Sequence, residues 1–371
     1  MNIKKYEKLF QMKIYKAAII GLGPSGLAVN KIIFGDSAND IIAFENEDIN
    51  KRDNFFGFWL TDWMKPFENI IEKKWHKWTI GDKNINIAHY SSDKPYCVIS
   101  YKNWKKYCLE TQNKLDVKNK QVVKYFPIQN YFKIITADNN EYYAEKIYDS
   151  RSTKEKKGEL IQHFFGINIT VADNTFNENQ LTLMHFTEEK NLLHFLYILP
   201  FSHNSALVES TVFSKQVFEN SWYREKINDY LKLKNIIEFK ESSTEEGIIP
   251  MFFAKEKNST NPNIFNIGIR GGACKPSTGY AFSFLIKQIQ LLKNSKKNNL
   301  NTHKFLERKM DKIFINFLKN NNEDGQSFIK LASDLNGNEF QSFMMGESNF
   351  ITKLKIIKSM PKLPFIKELF K

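Results

Sequence analysis

The chain has 371 residues, a formal net charge of +13, and 42% hydrophobic and 14% aromatic residues, so it can bury a substantial core as one large domain or two joined ones. The basic excess is nearly all lysine, with Arg52, Arg151, Arg224, Arg270 and Arg308 the only arginines; a nucleic-acid groove would cluster arginine in a recognisable module, which sets nucleic acid aside as a partner. Cys97, Cys108 and Cys274 are too few and too scattered for a disulfide framework or a zinc site, so no metal is expected and a reducing compartment is.

"MNIKKYEKLFQMKIYK" carries charges where a signal peptide needs an apolar stretch, and no run approaches the roughly eighteen apolar residues of a spanning helix. A cytoplasmic protein, or one on the inner face of a membrane, is expected. A strand at 14–20, a glycine turn, a helix over about 25–34 and a strand at 41–44 make a βαβ opening. Residues 120–149 alternate as short strands with a turn at "DNNE". Further strands follow in "ELIQHFFGINITV", "QLTLMHF", "LLHFLYILPF" and "ALVESTVF", the last two forming a hairpin through "SHNS". A helix at about 215–233, strands at "NIIEF" and "IFNIGI", the loop "RGGACKPSTG" and a helix over about 280–293 complete the pattern, with a helical, basic remainder.

This order predicts an α/β protein: a Rossmann-like dinucleotide domain, an inserted antiparallel β-sheet substrate domain and a helical C-terminal region. The expected division is about 12–90, 120–165 and 260–297 for the nucleotide domain, about 91–119 and 166–259 for the substrate domain, and 298–371 for the helical tail.

In "IIGLGPSGLA", Gly21 allows a tight turn, Gly23 lets backbone approach a pyrophosphate, and Gly26 lets helix pack on strand. The helix start offers N–H groups to phosphate, and Glu45, at the end of the second strand, is placed for ribose hydroxyls. The N-terminal position of this fingerprint, and a second glycine loop before a late helix, favour FAD over NAD.

At "IGIRGGACKPSTGYAFSFL" the chain resembles the bacterial lycopene cyclase family, a flavoprotein hydroxylase-like architecture. "IYDSRS", "IQHFFG", "FLYILPFSHNSALVESTVFS", "EEGIIPM" and "LKIIKSMPKLPFIKELF" resemble that family's segments in the same order. The resemblance implies a redox-neutral isomerisation of lycopene or a related acyclic carotenoid. A proton added to the terminal double bond gives a tertiary carbocation, which closes onto the chain and loses a proton to leave a β-ring. It also implies reduced FAD as cation stabiliser, with NAD(P)H as electron donor.

By resemblance Glu209 is the proton donor, and alternation sets Leu207, Glu209 and Thr211 on one face against Val208, Ser210 and Val212 on the other. Desolvation would keep such an acid protonated near neutrality; the competing reading is an edge-strand carboxylate in water or paired with lysine. The family pattern has an acid and an arginine where this chain has His185 and Thr187, so His185 is either a substitute acid or base or a hydrogen-bonded structural residue. Asp53, Phe58 and Trp59 match, whereas Leu60 replaces an acid and "GYAFSFL" lacks a basic residue.

Asp149 and Arg151 either organise the flavin edge or form an ion pair ending a strand. Gly271, Gly272, Pro276, Ser277 and Gly279 are expected to bring backbone N–H groups to the flavin and its phosphates. From Phe350 onward, Ile351, Leu354, Ile357, Leu363, Phe365 and Leu369 interleave with lysines, a pattern that suits a membrane interface or a packed terminal helix. Two alternatives stand beside the cyclase: a flavin monooxygenase or related oxidoreductase of the same fold, and a carotenoid- or flavin-binding homologue without catalysis. Nothing in the sequence bears on oligomeric state.

Overall fold

The computed structural model describes residues 13–35, 40–47, 52, 54–110, 115–152, 158–172, 174–253, 261–294, 301–320 and 325–360. The expected first strand is two: β1 (Ile14–Tyr15) and β2 (Ala17–Ile20) part at Lys16 and enter different sheets. After the glycine turn, α1 (Pro24–Ala28) continues as a π-helical stretch over Val29–Phe34 and leads to β3 (Ile41–Glu45). Then come β4 (Phe55–Trp59), β5 (Lys73–Trp75), β6 (Lys77–Gly81), β7 (Asn86–Tyr90), β8 (Tyr96–Ser100), α2 (Tyr101–Leu109) and β9 (Leu115–Asn119). The middle of the chain holds β10 (Val122–Ile128), β11 (Tyr131–Thr136), β12 (Glu141–Ala144), β13 (Ile147–Asp149), β14 (Ile161–Thr170), β15 (Gln180–Phe186), β16 (Leu193–Pro200) and β17 (Ser205–Ser214). Helix α3 (Asn220–Leu233), β18 (Lys240–Pro250) and β19 (Ile264–Asn266) precede α4 (Phe282–Asn294), α5 (Phe305–Asn320), α6 (Gly325–Asp334), α7 (Gly337–Met344) and α8 (Phe350–Ser359).

Two sheets position the site. The parallel sheet has the order β19-β13-β2-β3-β9, and the seven-stranded sheet β18-β14-β17-β16-β15-β6-β7 is antiparallel except where β15 runs with β6. Smaller sheets, β1-β12-β11-β10 and β4-β8-β5, flank them. The side-chain period of two divides β17 as expected. Ala206, Val208 and Val212 pack with Tyr223, Ile227 and Leu231 of α3, while Leu207 and Phe213 join the main core.

Three expectations are corrected. "NIIEF" is not a strand: Asn235 turns at φ 57°, Ile236 N–H donates to Leu231 O, and the buried Ile236 closes the end of α3, so β18 begins only at Lys240. The helix expected from about 215 begins at Asn220. Segments on either side of residue 90 also sit opposite to the expected division. Strands β6 and β7 belong to the seven-stranded sheet and β9 to the parallel one, and β14 carries 161–165 into the antiparallel sheet.

Candidate active site

The glycine turn, Glu45 and Asp149 all lie at the carboxyl ends of β2, β3 and β13, where open α/β sheets bind ligands. Gly21 has φ +91°, and a Cβ there would stand 2.5 Å from Ser150 Oγ, so only glycine makes this turn. A Cβ on Gly26 would stand 2.0 Å from Gly21 O, the close helix-to-strand approach that the motif requires. Gly23 opens α1, and its missing Cβ faces nothing nearer than Arg52 Nη1 at 3.8 Å. The buried Glu45 carboxylate accepts from Leu22 N–H (2.9 Å) and Asn46 N–H (2.9 Å) and lies 3.3 Å from Arg52.

Asp149, fully buried, accepts from Arg151 Nη2 (2.6 Å) and Nε (2.9 Å), from Tyr125 (3.3 Å), and lies 3.5 Å from Arg270 Nε. Asp149 and Arg151 thus do form an ion pair at a strand end. Arg151 also reaches the cavity described below.

The late loop follows β19. Gln288 of α4 ties it down, accepting from Gly268 N–H (2.7 Å) and donating to the carbonyl of Gly271 (2.8 Å); Gly272 follows with open space where a Cβ would be. Gly279 has φ +72°, and a Cβ there would meet Gln162 Oε1 at 2.0 Å. Pro276 and Ser277 are buried and do not line the cavity. Lys275, 1% exposed, pairs with Asp311 of α5, and Ser277 Oγ donates to the same carboxylate (2.6 Å). The cavity wall is made instead by Thr278–Phe282.

That cavity, about 580 Å³, runs from Gly23–Ser25 and Ser150–Arg151 past Thr278–Phe282 to Tyr96, Tyr197 and Glu209, with Phe55, Met184, Phe195 and Phe213 on its apolar walls. Glu209 is 7% exposed and accepts from Thr211 Oγ1 at 2.5 Å. Burial pushes its carboxyl up to about 7, against the opposing pull of hydrogen bonds with Thr211 and Glu245. Tyr197 donates to Tyr96 (2.9 Å), and burial holds both phenols protonated. An acid kept neutral at the wall of an aromatic cavity can deliver a proton to a hydrocarbon.

His185 is not brought to the cavity. It packs edge-on against Tyr230 of α3 at 5.3 Å, and burial together with the nearby Lys234 lowers its pKa. A register shift between Thr182 and His185 turns both Leu183 and Met184 to the cavity and His185 to the helix. Thr187 is on hydrogen-bonding terms with His194 Nδ1 (2.5 Å), whose Nε2 meets Ser210 (2.8 Å). Sequence reasoning missed Tyr96, Tyr197, Arg52, Arg270 and Glu245. The last lay in "EEGIIPM" but draws no notice in a strand that reads as polar.

Among the described residues no helix is long and apolar enough to cross a membrane, and no group of three or more His, Cys, Asp or Glu could hold a metal. Helix α8 leaves Phe350, Ile351, Leu354 and Ile357 exposed. Leu363, Phe365, Leu369 and Asp53 lie outside the described residues.

Residues 17–369 match the family described as "Lycopene cyclase protein". No curated protein matches the chain. A geranylgeranyl bacteriochlorophyll reductase-like protein from Thermoplasma acidophilum has a similar structure, with TM-score 0.64, 12% identity, and 97% of this chain and 99% of that one covered. Klebsiella pneumoniae HpxO complexed with FAD and uric acid (TM-score 0.58, 11% identity, 94% and 98% covered) is a further likeness. So is 2,6-dihydroxypyridine-3-hydroxylase from Arthrobacter nicotinovorans (0.57, 9%, 88% and 94%). At these identities the likeness is one of fold, the flavoprotein hydroxylase-like architecture that the family resemblance implied.

Proposed function

Because the chain belongs to the lycopene cyclase protein family, we propose that it closes the acyclic end of lycopene or a related carotenoid into a β-ring, as an FAD-dependent isomerase without net redox. The observation that carries this reading is Glu209, a buried carboxyl with a raised pKa on the wall of an aromatic cavity that continues to the glycine turn. Glu209 gives its proton to the terminal double bond. Thr211 fixes the carboxyl through Oε1, and the aromatic Phe195, Phe213 and Tyr197 on the cavity wall exclude water around the cation. The proton lost as the ring double bond forms restores the acid, so no electrons are gained or lost.

The residues present fit FAD: a glycine turn without obstructing side chains, Glu45 beside it for ribose, and the open backbone at Gly272. Bound in its reduced form, with NAD(P)H as electron donor, FAD supplies negative charge beside the cation. The exposed Phe350, Ile351, Leu354 and Ile357 support docking on the inner membrane surface, where a carotenoid is collected.

The test is expression in lycopene-accumulating cells and assay of the purified protein with reduced FAD. β-ring product without stoichiometric oxygen or NAD(P)H use is expected. Consumption in proportion to product would make the protein an oxidoreductase, and flavin binding without conversion would make it a binding protein.

A further inference from the structure

Strands β17, β14 and β18 lie side by side, and Gly166 at the centre is in register with Glu209 on one flank and Glu245 on the other. A Cβ at position 166 would stand 3.4 Å from Glu209 Cβ and 3.3 Å from Glu245 Cγ. The bare backbone at Gly166 is therefore what lets two acids lean together over one strand. Both are buried, at 7% and 5% exposure, and they share a hydrogen bond. Each is also held from its outer side by a neutral donor: Thr211 Oγ1 to Glu209 (2.5 Å) and Phe55 N–H to Glu245 Oε2 (2.8 Å).

Two carboxyls hydrogen-bonded to each other need a proton between them, and in a low-dielectric site they cannot both ionise. Among the described residues, titratable and charged groups surround the pair. Tyr197 of β16, Tyr96 of β8 and Tyr280 of the late loop are phenols that burial keeps neutral. Gln162 of β14 is uncharged, Glu246 of β18 adds another acid to the cavity wall, and Arg151, held by Asp149, is the cation among the described residues that line it.

We propose that Glu245 is the proton-holding partner of Glu209: the two form a carboxyl–carboxylate pair across Gly166 that carries a single proton to the substrate end of the cavity. The proposal rests on Glu209 being the donor. Loss of that proton to water would leave two carboxylates side by side in a dry site. Loss to the terminal double bond creates a carbocation next to those same two charges, so transfer to substrate is favoured over leakage. The O–H bond of the pair breaks as the new C–H bond forms; when the ring double bond forms, the released proton returns to the pair. Glu245 acts through Glu209 and is a positioning residue.

The experiment compares wild type, Glu209→Gln, Glu245→Gln and Glu245→Asp as flavin-bound proteins. It measures the pH dependence of conversion and, without substrate, the infrared band of the protonated carboxyl as a function of pH. Gln at 245 cannot share the last proton of the pair and donates instead to a Glu209 carboxylate, so both midpoints should move down by about one pH unit or more, and conversion lost at neutral pH should return on acidification. Glu245→Asp should restore part of the wild-type midpoint. A uniform loss across pH with unmoved midpoints in Glu245→Gln would overturn the pair while leaving Glu209 as donor. If Glu245→Gln does not fold, Glu245→Asp carries the test: a midpoint and carboxyl band that move part of the way down, with conversion recovering on acidification, support the pair, and an unmoved midpoint with conversion falling equally at every pH overturns it. Conversion that survives Glu209→Gln removes the donor reading itself.

Discussion

Strand β17 separates two buried polar systems that answer burial in opposite senses. On the α3 side, His163 meets Tyr223 through Nδ1 (2.5 Å) and Ser214 through Nε2 (2.8 Å), and His194 meets Thr187 and Ser210. Burial pushes these imidazoles down to about 4 and about 3. On the cavity side, burial pushes the Glu209 carboxyl up to about 7. Both systems are forced into neutral forms. The histidines are closed, with both ring nitrogens occupied by neighbours, whereas the acid holds its proton at the edge of a cavity. Burial and a shifted pKa are therefore not enough to mark function; the open side of the group decides.

The two faces can be separated experimentally. Glu209→Gln should cut conversion at least about a hundredfold, the share expected of a general acid, and leave the thermal midpoint close to wild type. His194→Ala should do the reverse, costing about 2–4 kcal/mol by leaving Ser210 and Thr187 unpartnered over a cavity, with the folded fraction still active; urea titration measures the loss.

Gly166→Ala should cost about 1–3 kcal/mol through overpacking against Leu207 and the two acids. The pH dependence of stability should carry both signs. The histidines, depressed from 6.5, stabilise fully above that value, and their contribution is lost as pH falls toward about 4 for His163 and about 3 for His194. Glu209, raised from 4.5 to about 7, contributes stability that is full below 4.5 and is lost as pH rises through 7. Denaturation midpoints across pH 4–8 should lose part of their acid slope in His194→Asn, His163 keeping the rest, and their alkaline slope in Glu209→Gln. The smallest effect is expected of His185→Asp, which changes a side chain packed on Tyr230 and leaves the cavity wall intact; conversion by that variant should stay near wild type.

Much of this frame was legible in the sequence. The glycine turn, Glu45 and the late loop each follow from local spacing, and the alternation through Leu207–Val212 places Glu209 on the right face. What failed to show depends on how distant strands are laid beside one another. Which way His185 faces was not legible, because one irregularity in β15 reverses the alternation that sequence assumes. Glu245 became visible only once β18 was known to flank Gly166 from the side opposite β17. Residues 55–100 carry no element in the sequence reading, and their short strands are shared between two sheets.

Helix α5 holds two buried acids one turn apart. Glu307 takes Lys353 of α8 at 3.2 Å, and Asp311 takes Lys275 of the late loop. Burying Lys275 almost completely is tolerable only with that carboxylate in place. The late loop therefore cannot settle into its position during synthesis until residue 311 has emerged, and a chain cut before α5 would leave the loop's lysine without the counter-charge that lets it go inside. In assembly, the last quarter of the chain completes the cavity wall that the glycine turn of the first fifty residues begins.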